Sequence, residues 1–168
     1  MNKINYKIVF VALFIAQILI NNFWHVSQYL LLSFMPLLLL SLPLKHSNVM
    51  VLFIAFFVGL AVDLLSSSTL GITSCALLLC AICKNLILKM VYGEELFTYR
   101  EGSPLNFHTT RELLLSLTLF CAIYFIPYVF IESAGSRPFS FIFLRWLCSF
   151  AFSSGVNCIL ATFLFKAD

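Results

Sequence analysis

Charged residues are scarce in this chain of 168 residues, and their scarcity excludes most soluble functions. Asp, Glu, Lys and Arg make up 10% of the sequence, whereas 62% is hydrophobic and 16% aromatic. A soluble domain carries about 25% charged residues, and a disordered chain needs low hydrophobicity and high charge. The composition and a mean hydropathy of +1.04 therefore predict an all-α, polytopic membrane protein. Six spans of about 20 residues take ~120 residues, which leaves no room for a separate soluble domain.

Signatures of catalysis, metal binding and nucleic-acid binding are missing from the sequence. His25, His46 and His108 lie far apart, and no HExxH, P-loop or G-x-S-x-G occurs. The net charge of +3 is not gathered into a basic face. Cys80 and Cys83 form one CxxC, but a membrane thiol oxidoreductase normally has a second reactive pair, so we interpret both as buried cysteines. We expect no enzyme activity, no metal and no cofactor.

Six apolar segments are predicted to be transmembrane helices of one bundle, a single domain over residues 1–168. Their approximate bounds are 7–20, 29–44, 49–65, 70–88, 113–131 and 139–165. The second segment leaves an alternative open, because it is short and Pro36 could break it before it crosses fully. The longest loop, 92–110, is predicted to be cytoplasmic, either as a simple connector or as a segment that meets the membrane surface or a partner.

The basic residues predict that both termini are cytoplasmic. With six spans, the inner side holds Lys3, Lys7, Lys45, Lys84, Lys89, Arg100, Arg111 and Lys166. The outer loops then hold Arg137 alone, and Arg145 lies a short way into the sixth span. Cytoplasmic loops of membrane proteins are enriched in Lys and Arg, so this distribution favours six crossings.

Asp63, near the outer end of the third span, is the first candidate for a structural or interaction site. A carboxylate at membrane depth costs about 2.5–3.5 kcal/mol on insertion scales, so it should face the bundle interior or water. Ala55, Gly59 and Asp63 are four residues apart and share one helical face. Small residues at this spacing allow a neighbouring helix to approach closely.

Arg145 is the predicted partner of Asp63, because the topology places both at a similar depth. Opposite charges at one level in a low-dielectric bundle should pair, directly or through water. Two alternatives remain open at this point. Each side chain could reach the outer interface independently, or Asp63 could bind a proton or a substrate.

Small and amide side chains mark further packing sites. The sixth span carries a stripe of small residues that is predicted to pack closely against another helix: Ala151, Ser154, Gly155, Cys158 and Ala161. Asn157 in the same span is expected to hydrogen-bond across helices. Gln17 and Asn21, four apart in the first span, are expected to do the same.

The segment Leu52–Leu79 resembles the signature region of the rod shape-determining MreD family. Gly59 and Leu60 match its glycine-leucine step, Asp63 its aspartate on the third span, and Gly71 the glycine that opens the fourth span. One departure is Thr69-Leu70-Gly71, where the family usually has a proline before the glycine.

Flanking segments extend this resemblance to nearly the whole chain and to the Bacteroidota-type members. These carry an asparagine after the first span, a proline in the second, a leucine-proline before the third, and an arginine in the sixth, at the position of Arg145. Length and span count also agree.

The resemblance implies a location and a role. The family resides in the bacterial inner membrane, has a fold similar to the S-components of vitamin transporters, and acts as a scaffold of peptidoglycan elongation. Its partners are MreC, MreB, and RodA with its transpeptidase. We expect an exposed small-residue or aromatic face to bind a partner's single transmembrane helix.

A second function class stays open, a substrate-binding subunit of a vitamin-type transporter. That function would need an outward polar pocket of several hundred Å³. The side chains available to line it are Gln17, Asn21, Asp63 and Arg145.

Overall fold

The described residues of the chain fold mainly into α-helices. The computed structural model describes residues 6–23, 30–43, 47–66, 69–93, 110–133 and 137–165. Their helices are, in chain order, α1 Tyr6–Phe23, α2 Met35–Ser41, α3 Asn48–Leu65, α4 Ile72–Tyr92, α5 Thr110–Ser133 and α6 Phe139–Phe165. The last four are long and apolar enough to cross a membrane, and α1 contributes a shorter apolar stretch, Ile8–Phe23. The chain is an all-helical, multi-pass membrane protein, as predicted, while the count of six crossings and the side of the termini stay predictions.

The second apolar segment does not form the continuous helix predicted over 29–44. Its helix, α2, has only 7 residues, and residues 31–34 before it are not helical. Pro36 lies in the first turn of α2, where a missing N–H costs nothing, so this proline starts the helix instead of interrupting it. We call residues 30–34 the non-helical segment.

Residues 30–43 nevertheless run through the middle of the bundle. Every side chain from Ser33 to Pro43 is buried. The backbone of Leu31 bonds to the first half of α6, whereas that of Leu42 bonds to the second half of α4. Irregular backbone is tolerated at membrane depth when protein surrounds it, which favours a second crossing that is only partly helical.

Helices α3 and α4 pack closely against each other, as predicted for this hairpin. Ala55, Gly59 and Asp63 are all buried, as their shared face predicted. A Cβ added at Gly59 would lie 2.5 Å from the Cα of Ser74 in α4. The two backbones thus approach to a distance that only glycine permits.

The small-residue stripe predicted for the sixth span is buried at Ala161 but not over its whole length. Ala151 and Gly155 are exposed, and a Cβ at Gly155 would meet nothing within 4 Å. The face of α6 that meets the bundle carries Ser149, Ser153, Asn157 and Ala161, all 0% exposed. Hydrogen bonding, rather than close backbone approach, selects this face, because the neighbouring segment lacks helical hydrogen bonds of its own.

Matched glycine substitutions test this packing. Gly59→Ala should lower the free energy of unfolding by about 1–3 kcal/mol, since the new methyl group meets backbone that cannot move aside. Gly155→Ala should leave it unchanged or raise it by up to about 1 kcal/mol through helix propensity. Thermal unfolding in detergent measures both variants, and equal effects would contradict the close approach at Gly59.

The longest predicted loop, 92–110, is described only at its edges. Tyr92 is the buried last residue of α4, and α5 begins at Thr110. Residues 94–109 lie outside the described part of the chain.

Candidate functional site

Asp63 caps the first turn of α4 from the neighbouring helix. Its carboxylate is 1% exposed, and Oδ2 accepts hydrogen bonds from the backbone N–H groups of Gly71, at 2.8 Å, and Thr73, at 3.2 Å. The first N–H groups of a helix have no partner within it, and a negative charge there is favourable. Gly71 adopts φ +92°, a left-handed conformation that favours glycine. Gly59, Asp63 and Gly71 therefore act together to join α3 to α4.

The predicted direct pair between Asp63 and Arg145 is wrong. Arg145 Nη2 lies 2.9 Å from Glu132 Oε1, near the end of α5. Asp63 has backbone donors within ten residues, and these satisfy Oδ2 without burying a second charge. Glu132 is only 13 residues from Arg145 and is closer to the surface. Glu132 was not predicted as a site residue, although its place in the sequence shortly before the sixth span was a usable signal.

Side chains of α6 hydrogen-bond to the backbone of the non-helical segment. Ser149 Oγ accepts from Leu31 N–H at 3.1 Å. Ser153 Oγ accepts from Ser33 N–H at 3.2 Å and donates to Ser33 C=O at 2.9 Å. Asn157 Nδ2 donates to the same carbonyl at 2.7 Å.

This pairing is possible because the spacing of side chains along one face of α6 is close to the spacing of backbone groups along the non-helical segment. Four residues of helix rise about 6 Å, and two residues of extended chain span about 6.6 Å. Ser149 can therefore hydrogen-bond to the backbone of Leu31 while Ser153 hydrogen-bonds to the backbone of Ser33. Asn157 Nδ2 also donates to Cys121 Sγ in α5 at 3.8 Å, which is the cross-helix hydrogen bond predicted for Asn157.

Two further helices hold the same segment. Gln17 in α1 accepts from Phe34 N–H at 2.7 Å and donates to Asn21 at 2.8 Å and to Leu32 C=O at 3.4 Å. The hydroxyl of Tyr124 in α5 is hydrogen-bonded to the Ser33 side chain. Gln17 therefore bonds to a neighbouring segment, although that segment is not a helix, whereas the bond of Asn21 stays within α1.

Lys84 is a buried cation rather than a residue of the inner surface. Its side chain is 2% exposed, and Nζ donates to the carbonyl of Leu42 at 3.3 Å. Leu42 is the C-cap residue of α2, where a positive charge is favourable. A lysine inside the apolar run of the fourth span was the signal for this role.

The polar side chains proposed to line a transporter pocket do not converge. Gln17 and Asn21 contact each other and the non-helical segment, Asp63 contacts the start of α4, and Arg145 contacts Glu132. Within the described ranges, no group of three His, Cys, Asp or Glu side chains is placed to hold a metal ion. The hydrogen bonds and the ion pair of these side chains fix the helices to one another and to the non-helical segment.

Comparison with known proteins gives no relative from which to interpret this site. No protein-family model, curated protein or solved structure matches the chain. The geometry of the buried polar groups and the sequence pattern are therefore the basis of the functional interpretation.

Two adjacent serines of α6 provide a matched test of the backbone hydrogen bonds. Ser153→Ala should cost about 1–3 kcal/mol of unfolding free energy, because both backbone groups of Ser33 lose a buried partner. Ser154 donates to the carbonyl of Ala151 in its own helix, so Ser154→Ala should change stability by less than about 0.5 kcal/mol. Chemical unfolding in mixed micelles and amide exchange at residues 31–34 measure the difference. Unchanged exchange in Ser153→Ala would contradict the pairing.

Substitutions at Asp63 separate capping from charge. Asp63→Ala removes the acceptor of two N–H groups and should cost about 1–3 kcal/mol. Asp63→Asn keeps an acceptor oxygen and should cost clearly less. Unfolding free energy and amide exchange at Gly71 and Thr73 measure both variants, and identical losses would show that the charge, not the cap, matters.

Proposed function

We propose that this chain is a non-enzymatic scaffold of the MreD type, which acts in the bacterial inner membrane within the machinery of cell elongation. The supporting observation is that Gly59, Asp63 and Gly71, which carry the resemblance, form one structural unit between α3 and α4. Side chains that an enzyme or transporter would expose to a substrate here bond to backbone. A scaffold needs this kind of rigid bundle with an apolar outer surface.

The outer face of α6 is the surface that fits a partner helix best. Ala151 and Gly155 are exposed one turn apart, with Leu147, Phe152 and Ile159 exposed around them. Small residues permit close helix approach in a bilayer, and large neighbours supply packing area. We infer that the single transmembrane helix of an MreC-like protein binds this face, and that MreB, RodA and its transpeptidase partner join through the same complex.

Crosslinking in native membranes tests the function and the surface together. The protein should capture an MreC-like partner, and its depletion should make rod-shaped cells round. Gly155→Leu should abolish the capture without lowering stability, because the added side chain fills only the outer face.

A matched control carries the same kind of change elsewhere. Ala12 is exposed on α1, so Ala12→Leu should leave capture intact. Normal cell shape on depletion, together with tight binding of a vitamin, would replace the scaffold with the transporter. Full capture of the partner by the Gly155→Leu variant would show that the partner binds another face.

A further inference from the structure

We propose that α6 has two registers against the non-helical segment, which differ by a slide of four residues, about 6 Å, toward the N-terminal end of α6. In the register described above, Ser149 bonds to the backbone of Leu31 and Ser153 to that of Ser33. In the second register, Ser153 bonds to Leu31, and Asn157 bonds to both backbone groups of Ser33. The slide is a property of the bundle itself and does not depend on a partner helix.

Asn157 is a side chain that the described register leaves incomplete. It is 0% exposed, and its Nδ2 donates to the carbonyl of Ser33 at 2.7 Å. Its Oδ1 is also buried, but it has no donor among the described residues. The N–H of Ser33, which would complement Oδ1, donates instead to Ser153 Oγ at 3.2 Å. A carboxamide can accept from one backbone group and donate to another, so the slide brings Asn157 to the place where both of its ends are bonded.

Two further polar atoms of α6 gain partners through the same movement. Arg145 Nε and Trp146 Nε1 are buried, and neither has an acceptor among the described residues. A buried donor without an acceptor is unfavourable, because it has lost its water. Both residues lie near the start of α6, so the slide brings them closer to the membrane surface, where water and lipid headgroups accept hydrogen bonds. One direction of movement therefore completes three side chains of a single helix.

The bundle-facing side of α6 repeats at the spacing that the slide needs. Ser149 and Ser153 are hydroxyl side chains four residues apart, and both bond to backbone. Trp146 and Phe150 are aromatic side chains four residues apart, stacked at 5.7 Å between ring centroids with 7° between the ring planes. After the slide, Phe150 takes the place of Trp146, and Ser153 that of Ser149. Displacement of one packed element past another by one helical turn is an established form of conformational switching.

The ion pair of Glu132 and Arg145 holds α6 in the described register. The two side chains are joined at 2.9 Å, and the slide separates them. Arg145 is 14% exposed and Glu132 is 31% exposed, so the pair is partly hydrated and Glu132 stays hydrated after Arg145 leaves. A cation or a basic side chain that engages Glu132 therefore favours the second register.

The exposed face of α6 moves with the helix. Ala151 and Gly155 therefore lie at two different depths in the membrane, about 6 Å apart, in the two registers. A partner helix that packs on this face fits only one of them. This consequence rests on the proposed function, whereas the slide itself does not.

The depth of Trp146 in a bilayer tests the slide. Trp24→Phe leaves Trp146 as the single tryptophan of the chain, and quenching by lipids brominated at different acyl carbons measures its depth in phosphatidylcholine vesicles. Adding Glu132→Gln and Ser149→Ala removes contacts that only the described register makes. The indole should then move about 6 Å toward the membrane surface. The matched control, Glu112→Gln with Ser154→Ala, should leave the depth unchanged.

Amide exchange distinguishes a slide from detachment of α6. In the second register Asn157 protects the N–H of Ser33, so exchange at Ser33 should stay slow while Trp146 moves. An unmoved indole, or fast exchange at Ser33, overturns the proposal. Glu132→Gln alone changes a partly exposed side chain and serves if the combined variant fails to fold. Its indole should move in the same direction, and an unchanged depth in this variant likewise overturns the slide. No readout involves a partner, so failure here leaves the proposed function untouched.

Discussion

The hydrogen bonds to the backbone of Ser33 are the interaction on which the bundle depends. A non-helical backbone at membrane depth must find partners inside the protein, since lipid offers none. Here α6 supplies Ser153 and Asn157, α5 supplies Tyr124 to the side chain, and α1 supplies Gln17 to the next residue. These contacts add directional hydrogen bonds to the apolar packing of three helices. A few polar atoms therefore select one arrangement of the helices, while apolar packing stabilises the remainder of the bundle.

Buried charges follow the same logic, because each is matched to a helix end and not to an opposite charge. Asp63 lies at the positive end of α4, and Lys84 lies at the negative end of α2. Each helix end carries roughly half an elementary charge, and its free backbone groups need partners in any case. One side chain therefore offsets the charge of a helix end and also gives its free backbone groups a hydrogen-bond partner. A direct ion pair would have left both helix ends uncapped.

Sequence reasoning succeeded where the deciding contacts are close in the chain. The shared face of Ala55, Gly59 and Asp63 follows from their spacing, and the glycine that opens α4, within the same 17 residues, follows from the family resemblance. The partly helical second apolar segment and the packing face of α6 could not be predicted this way. They depend on the contact between Ser33 and Asn157, which are 124 residues apart, and no local sequence pattern predicts that contact. Glu132 is close to Arg145 in the sequence, but it was overlooked because Asp63 was expected at a depth similar to that of Arg145.

The long separation between Ser33 and its α6 partners has a consequence for biosynthesis. The non-helical segment leaves the ribosome more than 100 residues before Ser153 and Asn157 are made. Until then its peptide groups must be sheltered by the insertion machinery or held in a temporary helical form. Final assembly around the non-helical segment therefore waits until α6 has been synthesised.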